Sequence, residues 1–344
     1  MKKLFVILNV LLVIMTIGSY IAPHVHPSTL GLLPILGLGY PALLFANLIA
    51  ITVWFFWYKK YTVISLFTLI IGIPSCQKLF TVSLPGSSDK SISIATYNAN
   101  FSKPIVFAPK EDQSTIGANV KAHLKENDHI DILCLQEYGE RTSTYIGEAM
   151  TFPYRYQLDG KSVAILSKWP IVDRGMVDFK STSANICLWA DISINNQVIR
   201  VYTTHLESNR HDGEVPDVIA ETAPEAMSNS ALLGVVRHYQ KFSIHRVTQA
   251  HQMVSHKAES PHPVIICGDM NDTPQSHVYR VLSENMQDSW LDEGLGIGST
   301  FGEKIPALRI DYIFADDNID ILDHNIHRSD FSDHYLVESV VEIK

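Results

Sequence analysis

Asp269 and Asn271 are the two residues whose types and spacing point most directly to chemistry. They follow residues 264–267, a continuous apolar run that is typical of a strand inside a core. Gly268 ends the run, and acids, amides and a proline then predict a turn. Side chains two residues apart at the end of a strand point to the same side. The pair could therefore hold a water, a metal ion or a phosphate oxygen, although an ordinary Asx-rich loop has the same composition.

Other polar residues of these kinds follow apolar stretches elsewhere in the chain. Residues 92–97, 130–135 and 201–204 each have the composition of a strand and each lead into an amide, an acid or a histidine. A further Asp lies inside the apolar segment 310–314, and an Asp-His pair lies on a loop near the C-terminus. If these strands share sheets, their ends would gather the polar residues in one cleft. The residues concerned are Asn98, Asn100, Glu137, His205, Asp311, Asp333 and His334.

Glu137 is the best candidate metal ligand in the sequence. Mg²⁺ prefers hard oxygen ligands and typically takes one or two carboxylates while keeping waters and substrate oxygens. A carboxylate that emerges from a buried strand needs a partner to offset its desolvation. A bound cation would supply that partner, and the alternative is an ordinary surface ion pair with the nearby Arg141.

Asp311 and His334 form a second candidate pair. An ionised Asp within an apolar strand is costly unless it is paired. His334 is the natural partner, because an Asp–His pair fixes the tautomer of the imidazole and raises its basicity. His205 follows a strand on its own, and an isolated histidine there is usually incidental. It nevertheless supplies a group that titrates near neutral pH, as proton transfer requires.

Taken in this order, the motifs that end in Gly268-Asp269-Met270-Asn271 and Ser332-Asp333-His334 resemble those of the endonuclease/exonuclease/phosphatase superfamily. Its members include DNase I-like nucleases, abasic-site endonucleases, inositol-phosphate phosphatases and neutral sphingomyelinases. The resemblance covers roughly Ser91 to the C-terminus. It implies an α/β fold, a four-layer sandwich of two packed, mostly antiparallel sheets with helices on the outer faces.

The resemblance also implies hydrolysis of a phosphate ester by in-line attack of water beside a divalent metal ion. Asn98, Glu137 and Asp333 would hold that ion, Mg²⁺ or Mn²⁺. Many relatives carry an acid where this chain has Asn100. With one carboxylate fewer, a second metal position is less secure.

The remaining site residues receive roles in proton transfer from the same resemblance. Asp269 would orient or deprotonate the attacking water, and Asn271 would steady that water and the phosphate. His205 would donate a proton to the leaving group or hydrogen-bond the phosphoryl oxygen. His334 would contact the phosphate or the water, with Asp311 behind it.

Periodicity predicts the elements that must position these residues. A strand, a helix over 115–127 and a second strand would begin an α/β unit. Successive antiparallel strands follow between residues 162 and 204. Residues 208–229 are acidic and lack a pattern, which predicts a surface insertion near the mouth of the site. A helix over 231–256 follows, whose Arg246 is predicted to support the scaffold.

Charge is distributed unevenly along the 344 residues. No acid precedes Asp89, and only five of the 27 basic residues do, which leaves 22 basic against 36 acidic residues in the remainder. Duplex DNA is held chiefly through neutralised phosphates. The excess of acidic residues from Asp89 onward therefore counts against a non-specific nuclease, although it is compatible with a local basic patch.

The front of the chain predicts a membrane anchor. Residues 4–22 are long and apolar enough to cross a bilayer, 29–58 form a second apolar run, and 61–76 form a third, shorter one. We therefore predict an anchor of about three transmembrane helices over 1–78 and a linker over 79–90. The catalytic domain would occupy the rest of the chain, residues 91–344.

The positive-inside rule predicts which side of the membrane the catalytic domain occupies. Lys2, Lys3, Lys59 and Lys60 would lie in the cytoplasm. Three spans then place the catalytic domain on the outer side, whereas an interfacial third run would leave it inside.

The predicted function is that of a membrane-anchored, divalent-metal-dependent hydrolase acting on a small or lipid phosphate ester. A nuclease acting on extracytoplasmic DNA is the enzymatic alternative, and a basic groove beside the cleft would support it. A catalytically silent membrane binding protein is the other alternative, which the full set of acids, amides and histidines disfavours.

Overall fold

The computed structural model describes residues 2–84, 86, 88, 90–101, 110–180, 185–209, 229–302 and 308–344. Most of the predicted insertion, residues 210–228, lies outside these described residues. The chain divides into two compact units. The anchor unit contains residues 1–79, 207–248 and 271–281, and the sandwich unit contains residues 80–206, 249–270 and 282–344.

Two six-stranded mixed sheets form the sandwich unit. Across sheet 1 the strands are β13 (Ile319–His327), β14 (Leu336–Ile343), β2 (Ile92–Asn98), β3 (Ile132–Gln136), β5 (Ala164–Ser167) and β4 (Tyr154–Gln157). Across sheet 2 they are β10 (Gln287–Asp288), β12 (Asp311–Ala315), β9 (Val264–Asp269), β8 (Gln197–His205), β7 (Ile186–Ile194) and β6 (Ile171–Val177). Each sheet has one parallel pair, β2 with β3 and β8 with β9, and its other pairs are antiparallel.

The main core lies between the two sheets. Ile94 and Ile132 of sheet 1 are fully buried in one cluster with Val201 and Ile265 of sheet 2. These residues come from the alternate positions of their strands that face the other sheet. The predicted two-sheet α/β sandwich is confirmed.

Helices cover the outer faces of the sheets. Helices α6 (Lys110–Glu126) and α7 (Glu140–Ala149) pack on sheet 1, where Val120 and Leu124 of the predicted apolar stripe are fully buried. The long helix α8 (Asn229–Lys257) reaches sheet 2 through a 2.8 Å hydrogen bond between His256 Nδ1 and the Tyr202 hydroxyl. Two short helices follow, α9 (His277–Ser283) and α10 (Ser289–Glu293).

The apolar front of the chain folds into five helices of the anchor unit. These are α1 (Lys2–Ile21), α2 (Leu32–Leu38), α3 (Tyr40–Trp57), α4 (Thr62–Ile71) and α5 (Ile73–Gln77). Within the described part of the chain, residues 2–24 and 40–57 form two helices that are long and apolar enough to cross a membrane. The third predicted run is divided at Gly72 into α4 and α5, because Pro74 cannot donate the hydrogen bond that would continue the first helix.

Several polar side chains lie inside this bundle of helices, and many apolar side chains lie on its outer surface. Asn47 Nδ2 donates to Thr16 Oγ1 at 2.8 Å, and the Ser65 hydroxyl donates to Asn9 Oδ1 at 2.8 Å. All four residues are buried, while more than half of the side chains of Leu4, Ile7 and Ile14 and of several other apolar residues is exposed. This is the reverse of the pattern in helices that pack in water.

A two-stranded antiparallel ribbon completes the sandwich unit. It consists of β1 (Phe80–Val82) and β11 (Leu295–Ile297). Strand β1 lies within the segment that sequence composition predicted as a linker. Pairing with a strand more than 200 residues away gives this segment a structure that its local sequence does not reveal.

Candidate active site

The carboxyl ends of the two parallel strand pairs carry predicted site residues. Strands β2 and β3 end side by side at Asn98 and Gln136, and β8 and β9 end side by side at His205 and Asp269. Strand β12 runs antiparallel to β9, and its first residue, Asp311, is the partner of Asp269. The register of each sheet therefore brings residues far apart in sequence to one edge.

Gly268 allows β9 to lie this close to β8. Its φ of 139° is outside the range that other residues adopt, and a Cβ there would lie 2.1 Å from the carbonyl oxygen of Thr204. The backbone of the neighbouring strand therefore requires glycine at this position. Asp269 follows at once, so its carboxylate projects from a rigid strand end.

Asn98 connects the acids of the two sheets. Its Nδ2 donates to Asp269 Oδ2 at 3.0 Å and to Glu137 Oε1 at 3.3 Å. Asn98 is 1% exposed, and its Oδ1 has no hydrogen-bond partner among the described residues. Glu137 also accepts a hydrogen bond from Asn100, and its backbone is left-handed with a φ of 51°. In the described part of the chain, the carboxylate of Glu137 is held by amides and forms no ion pair with Arg141.

Two histidines approach one oxygen of Asp269. His205 Nε2 lies 3.6 Å and His334 Nε2 lies 3.7 Å from Asp269 Oδ2. Both distances are longer than a direct hydrogen bond.

Asp311 holds His334 from its other side. His334 Nδ1 lies 3.1 Å and 3.0 Å from the two oxygens of Asp311, which fixes the imidazole so that Nε2 faces Asp269. The hydroxyl oxygen of Thr300 accepts hydrogen bonds from the backbone N–H groups of Ile310 and Asp311, at 3.0 Å and 3.1 Å. These contacts hold the start of β12 in place.

Burial and charge shift the pKa values of this pair. Burial raises the pKa of the Asp311 carboxyl, although the neighbouring His334 acts in the opposite direction. Burial by itself lowers the pKa of His334, but the charges of Asp311 and Asp269 outweigh that effect and raise it to about 10. The two carboxylates therefore favour the protonated form of His334.

Asp333 is placed by the hydroxyl of its neighbour. The Ser332 Oγ donates to the backbone oxygen of Asn98 at 2.8 Å, which attaches the loop before β14 to the end of β2. The backbone of Gly302 donates to the carbonyl oxygen of Asp333 at 2.8 Å. The side chain of Asp333 is half-buried, and its charge contributes to the raised pKa of His334.

Asn271 differs from the other predicted site residues in its location. It lies in the segment 271–281 of the anchor unit, two residues beyond the end of β9. Its φ of 51° is in the left-handed region, which Asn tolerates better than most residues. The turn predicted after Gly268 is therefore present, and Asn271 stays a predicted site residue.

Sequence reasoning missed several residues that support the site. Asn100 was expected near the site but received no role, and the structure shows that it donates a hydrogen bond to Glu137. Phe301 pairs with His334 through its backbone, and its ring centroid lies 5.0 Å from the imidazole. No local pattern in the sequence shows that Thr300 binds the backbone of β12.

Two sets of atoms in the site could hold a cation. Asp269, Asp311 and His334 have ligand atoms within 4.8 Å of one another. A cation there would compete with the Asp311–His334 hydrogen bonds described above. The buried, unpartnered Oδ1 of Asn98 lies instead on a side chain that also contacts Glu137, so this pair offers hard oxygen donors with a lone pair available. The residues present therefore fit a small divalent cation.

Comparison with solved structures shows the same fold in proteins of low sequence identity. A functionally unknown conserved protein from Enterococcus faecalis V583 is 17% identical, with a TM-score of 0.52 over 74% of this chain and 100% of that chain. D. rerio TDP2 humanized by 14 mutations is 18% identical, with a TM-score of 0.52 over 74% and 100%. An endonuclease/exonuclease/phosphatase family protein from Bacteroides thetaiotaomicron is 17% identical, with a TM-score of 0.51 over 75% and 100%.

Family models match both parts of the chain. Residues 2–79 match a domain of unknown function, DUF8431. No curated protein sequence matches the chain. Residues 95–334, more than half of the chain, match the endonuclease/exonuclease/phosphatase family. This range includes every residue of the candidate site described above, from Asn98 to His334. The chain therefore belongs to the endonuclease/exonuclease/phosphatase family, whose fold supports the hydrolysis of phosphate esters.

Proposed function

We propose that this protein is a membrane-anchored, divalent-metal-dependent hydrolase of phosphate esters. The observation that carries the proposal is the environment of Asp269 Oδ2. This one oxygen lies 3.0 Å from the amide of Asn98, 3.6 Å from the imidazole of His205 and 3.7 Å from that of His334. A carboxylate that is oriented by an amide and faced by two imidazoles is suited to proton transfer at a phosphoryl centre.

The oxygens of Asn98, Glu137 and Asp333 would hold the metal ion. When bound, a divalent cation such as Mg²⁺ or Mn²⁺ stabilises negative charge on phosphoryl oxygens and lowers the pKa of water. Asn100 keeps the carboxylate of Glu137 oriented through its hydrogen bond. Because Asn100 is not an acid, the site has one carboxylate fewer than many relatives, which favours a single ion.

The remaining residues of the cleft manage protons and position the substrate. Asp269 accepts the proton of the attacking water, since its Oδ2 is held in place by Asn98. His334 donates a hydrogen bond to the phosphoryl oxygen from Nε2, because Asp311 occupies its Nδ1. His205, the more exposed of the two histidines, protonates the leaving group.

The side-chain arrangement of the anchor unit supports insertion of its helices into a membrane. Water is a poor solvent for a bundle that buries Asn9, Thr16 and Asn47 and exposes leucine and isoleucine. In lipid, exposed apolar side chains meet acyl chains, and buried amides and hydroxyls hydrogen-bond between helices. Helices 2–24 and 40–57 have the required length and hydropathy.

Turnover by the full chain, reconstituted in phosphatidylcholine nanodiscs, tests the proposal. The substrates are phosphomonoesters, phosphodiesters and single-stranded DNA, each with Mg²⁺ and with EDTA. We expect Mg²⁺-dependent turnover of at least one ester, and losses of about 10²–10⁴-fold in Asp269→Asn and in His334→Ala. Asp191→Asn removes another buried carboxylate of sheet 2, 3% exposed, and serves as the control that keeps turnover. Equal turnover in wild type and in a folded Asp269→Asn protein would overturn the mechanism.

A further inference from the structure

The ribbon of β1 and β11 presents an apolar face to solvent. Phe80 is the cross-strand partner of Ile297, and Val82 is the partner of Leu295. These side chains are 52%, 54%, 69% and 69% exposed in that order, and Leu84 is 87% exposed. We call these five residues the apolar ribbon face.

Polar residues occupy the opposite side of the same ribbon. Thr81 Oγ1 donates to the backbone oxygen of Leu291 at 3.4 Å. Ser83 donates from its hydroxyl to Glu293 Oε2 at 2.8 Å and from its backbone to Gly294 at 3.1 Å. Side chains alternate along a strand, so these contacts with α10 and the residue after it fix the apolar residues outward. In a strand at the surface of a soluble domain, the polar side chains face solvent and the apolar side chains face the core.

The position of β1 in the chain indicates what covers this face. Only Lys78 and Leu79 separate Phe80 from Gln77, the last residue of the helices in the apolar front of the chain. Arg328 is exposed at the edge of the ribbon and donates to the backbone oxygen of Ile297 at 3.3 Å. Apolar side chains bordered by a guanidinium match the boundary between acyl chains and lipid phosphates.

Strand β11 also leads directly to the active site. Thr300, which binds the backbone N–H of Asp311, is three residues beyond Ile297, and that stretch spans at most about 10 Å. Phe301 follows and packs on His334. The polar headgroup region of one leaflet is about 5–7 Å thick. A ribbon inserted at the interface therefore holds the cleft within reach of headgroup phosphates.

We propose that the apolar ribbon face inserts into the membrane interface and that the substrate is the phosphate-ester headgroup of a membrane lipid. This inference rests on the proposed function and deepens it by naming the class of substrate. Insertion turns the cleft towards the plane of the bilayer, so that the headgroup reaches Asp269 without leaving the membrane.

Fluorescence from a labelled ribbon tests insertion directly. The full chain carries Cys76→Ser, which leaves three fully buried cysteines, and either Leu84→Cys or Val172→Cys labelled with an environment-sensitive dye. Val172 is 59% exposed on β6 and is the control. In phosphatidylcholine nanodiscs, we expect a nitroxide attached to lipid to quench the dye at position 84 at least fivefold more than at position 172. Equal quenching overturns insertion.

Turnover by charged variants tests the class of substrate. Val82→Asp/Leu295→Asp is compared with Val172→Asp/Met176→Asp, an apolar pair on β6 that is 59% and 50% exposed. The substrates are a series of phospholipids in phosphatidylcholine vesicles and the soluble ester bis(p-nitrophenyl) phosphate. On the vesicle substrate that wild type cleaves, we expect the turnover of the ribbon variant to fall at least tenfold. Its turnover of the soluble ester should stay within twofold of wild type. The control variant should keep both.

The outcomes separate the two proposals. Equal losses in both variants, equal losses on both substrates, or wild-type turnover of the soluble ester alone would overturn the lipid proposal. If wild type cleaves neither substrate with Mg²⁺, the proposed function fails, whereas the quenching measurement still decides whether the ribbon inserts.

Discussion

Asp311 affects the candidate site through its contact with another side chain, that of His334. Its carboxylate is fully buried, and its two oxygens lie 3.1 Å and 3.0 Å from His334 Nδ1. The interaction orients the imidazole of His334 and stabilises its protonated form. We therefore propose that Asp311 is a positioning residue, whose contribution should appear in the chemical step rather than in substrate affinity.

We predict that Asp311→Asn lowers kcat by about 10²-fold, because the amide keeps the shape but loses the charge that stabilises the imidazolium. KM should change by less than about threefold. The fold should persist, since Thr300 binds the backbone of Asp311 rather than its side chain. The measurement is kcat and KM of the reconstituted full chain on one ester. Asp320→Asn, in an exposed ion pair with Lys344, is the matched control, and an unchanged kcat in Asp311→Asn would contradict the assignment.

Glu338 lies on β14, which pairs with both β13 and β2, and its side chain helps to hold these strands together. This residue of β14 is 3% exposed and accepts hydrogen bonds from Ser93 of β2 and from His327 of β13. His129 Nε2, just before β3, lies 2.9 Å from the same carboxylate. The buried carboxylate of Glu338 therefore links β14 to β2, to β13 and to the residues just before β3, through contacts with one serine and two histidines.

These partners make the stability of the sandwich unit depend on pH. Burial raises the pKa of Glu338, but hydrogen bonds from His327 and Ser93 and the charge of His129 outweigh it and lower the pKa to about 2, from an ordinary value of 4.5. The stabilisation is therefore complete above pH 4.5 and is lost as pH falls towards 2. We predict that Glu338→Gln lowers the free energy of unfolding by about 2 kcal/mol at pH 7. The difference in this free energy between the variant and wild type should narrow as pH falls from 4.5 towards 2.

Thermal unfolding of the two proteins at several pH values measures this difference. Glu342→Gln, on the same strand but only partly buried, is the control that should follow wild type. A constant gap between Glu338→Gln and wild type from pH 7 to pH 2.5 would show that the ionised carboxylate is not the source of the stability.

The distribution of charge determines how the whole molecule meets a membrane. Lys2 Nζ lies 4.4 Å from the ring centroid of Tyr58, so the start of α1 and the turn after α3 lie at the same end of the anchor unit. Lys59 and Lys60 follow in that turn. Four of the five basic residues of the apolar front are therefore concentrated at one end, which the positive-inside rule assigns to the cytoplasm.

We predict that α4 and α5 together return the chain across the membrane, and that the sandwich unit therefore lies on the opposite side from these lysines. In a Cys76→Ser background, Lys344→Cys in sealed right-side-out vesicles should react with a membrane-impermeant maleimide. Lys60→Cys should react only after permeabilisation. If both positions need permeabilisation, the third apolar run does not span, and the sandwich unit is cytoplasmic.

The sequence by itself determined the local properties of this protein. Apolar runs of four to seven residues predicted the strands, and the polar residues after them predicted which ends carry chemistry, because alternation and turn composition depend on near neighbours. The family motifs likewise predicted the sandwich fold, which the structure and the family match confirm.

Tertiary structure alone decided how these parts combine. Strand register places both histidines near one oxygen of Asp269, and Asn100 against Glu137. Pairing of β1 with β11 turns a segment that reads as a linker into a ribbon with an apolar outer face. These contacts join residues between 37 and more than 200 positions apart, and no local pattern encodes a register over such distances.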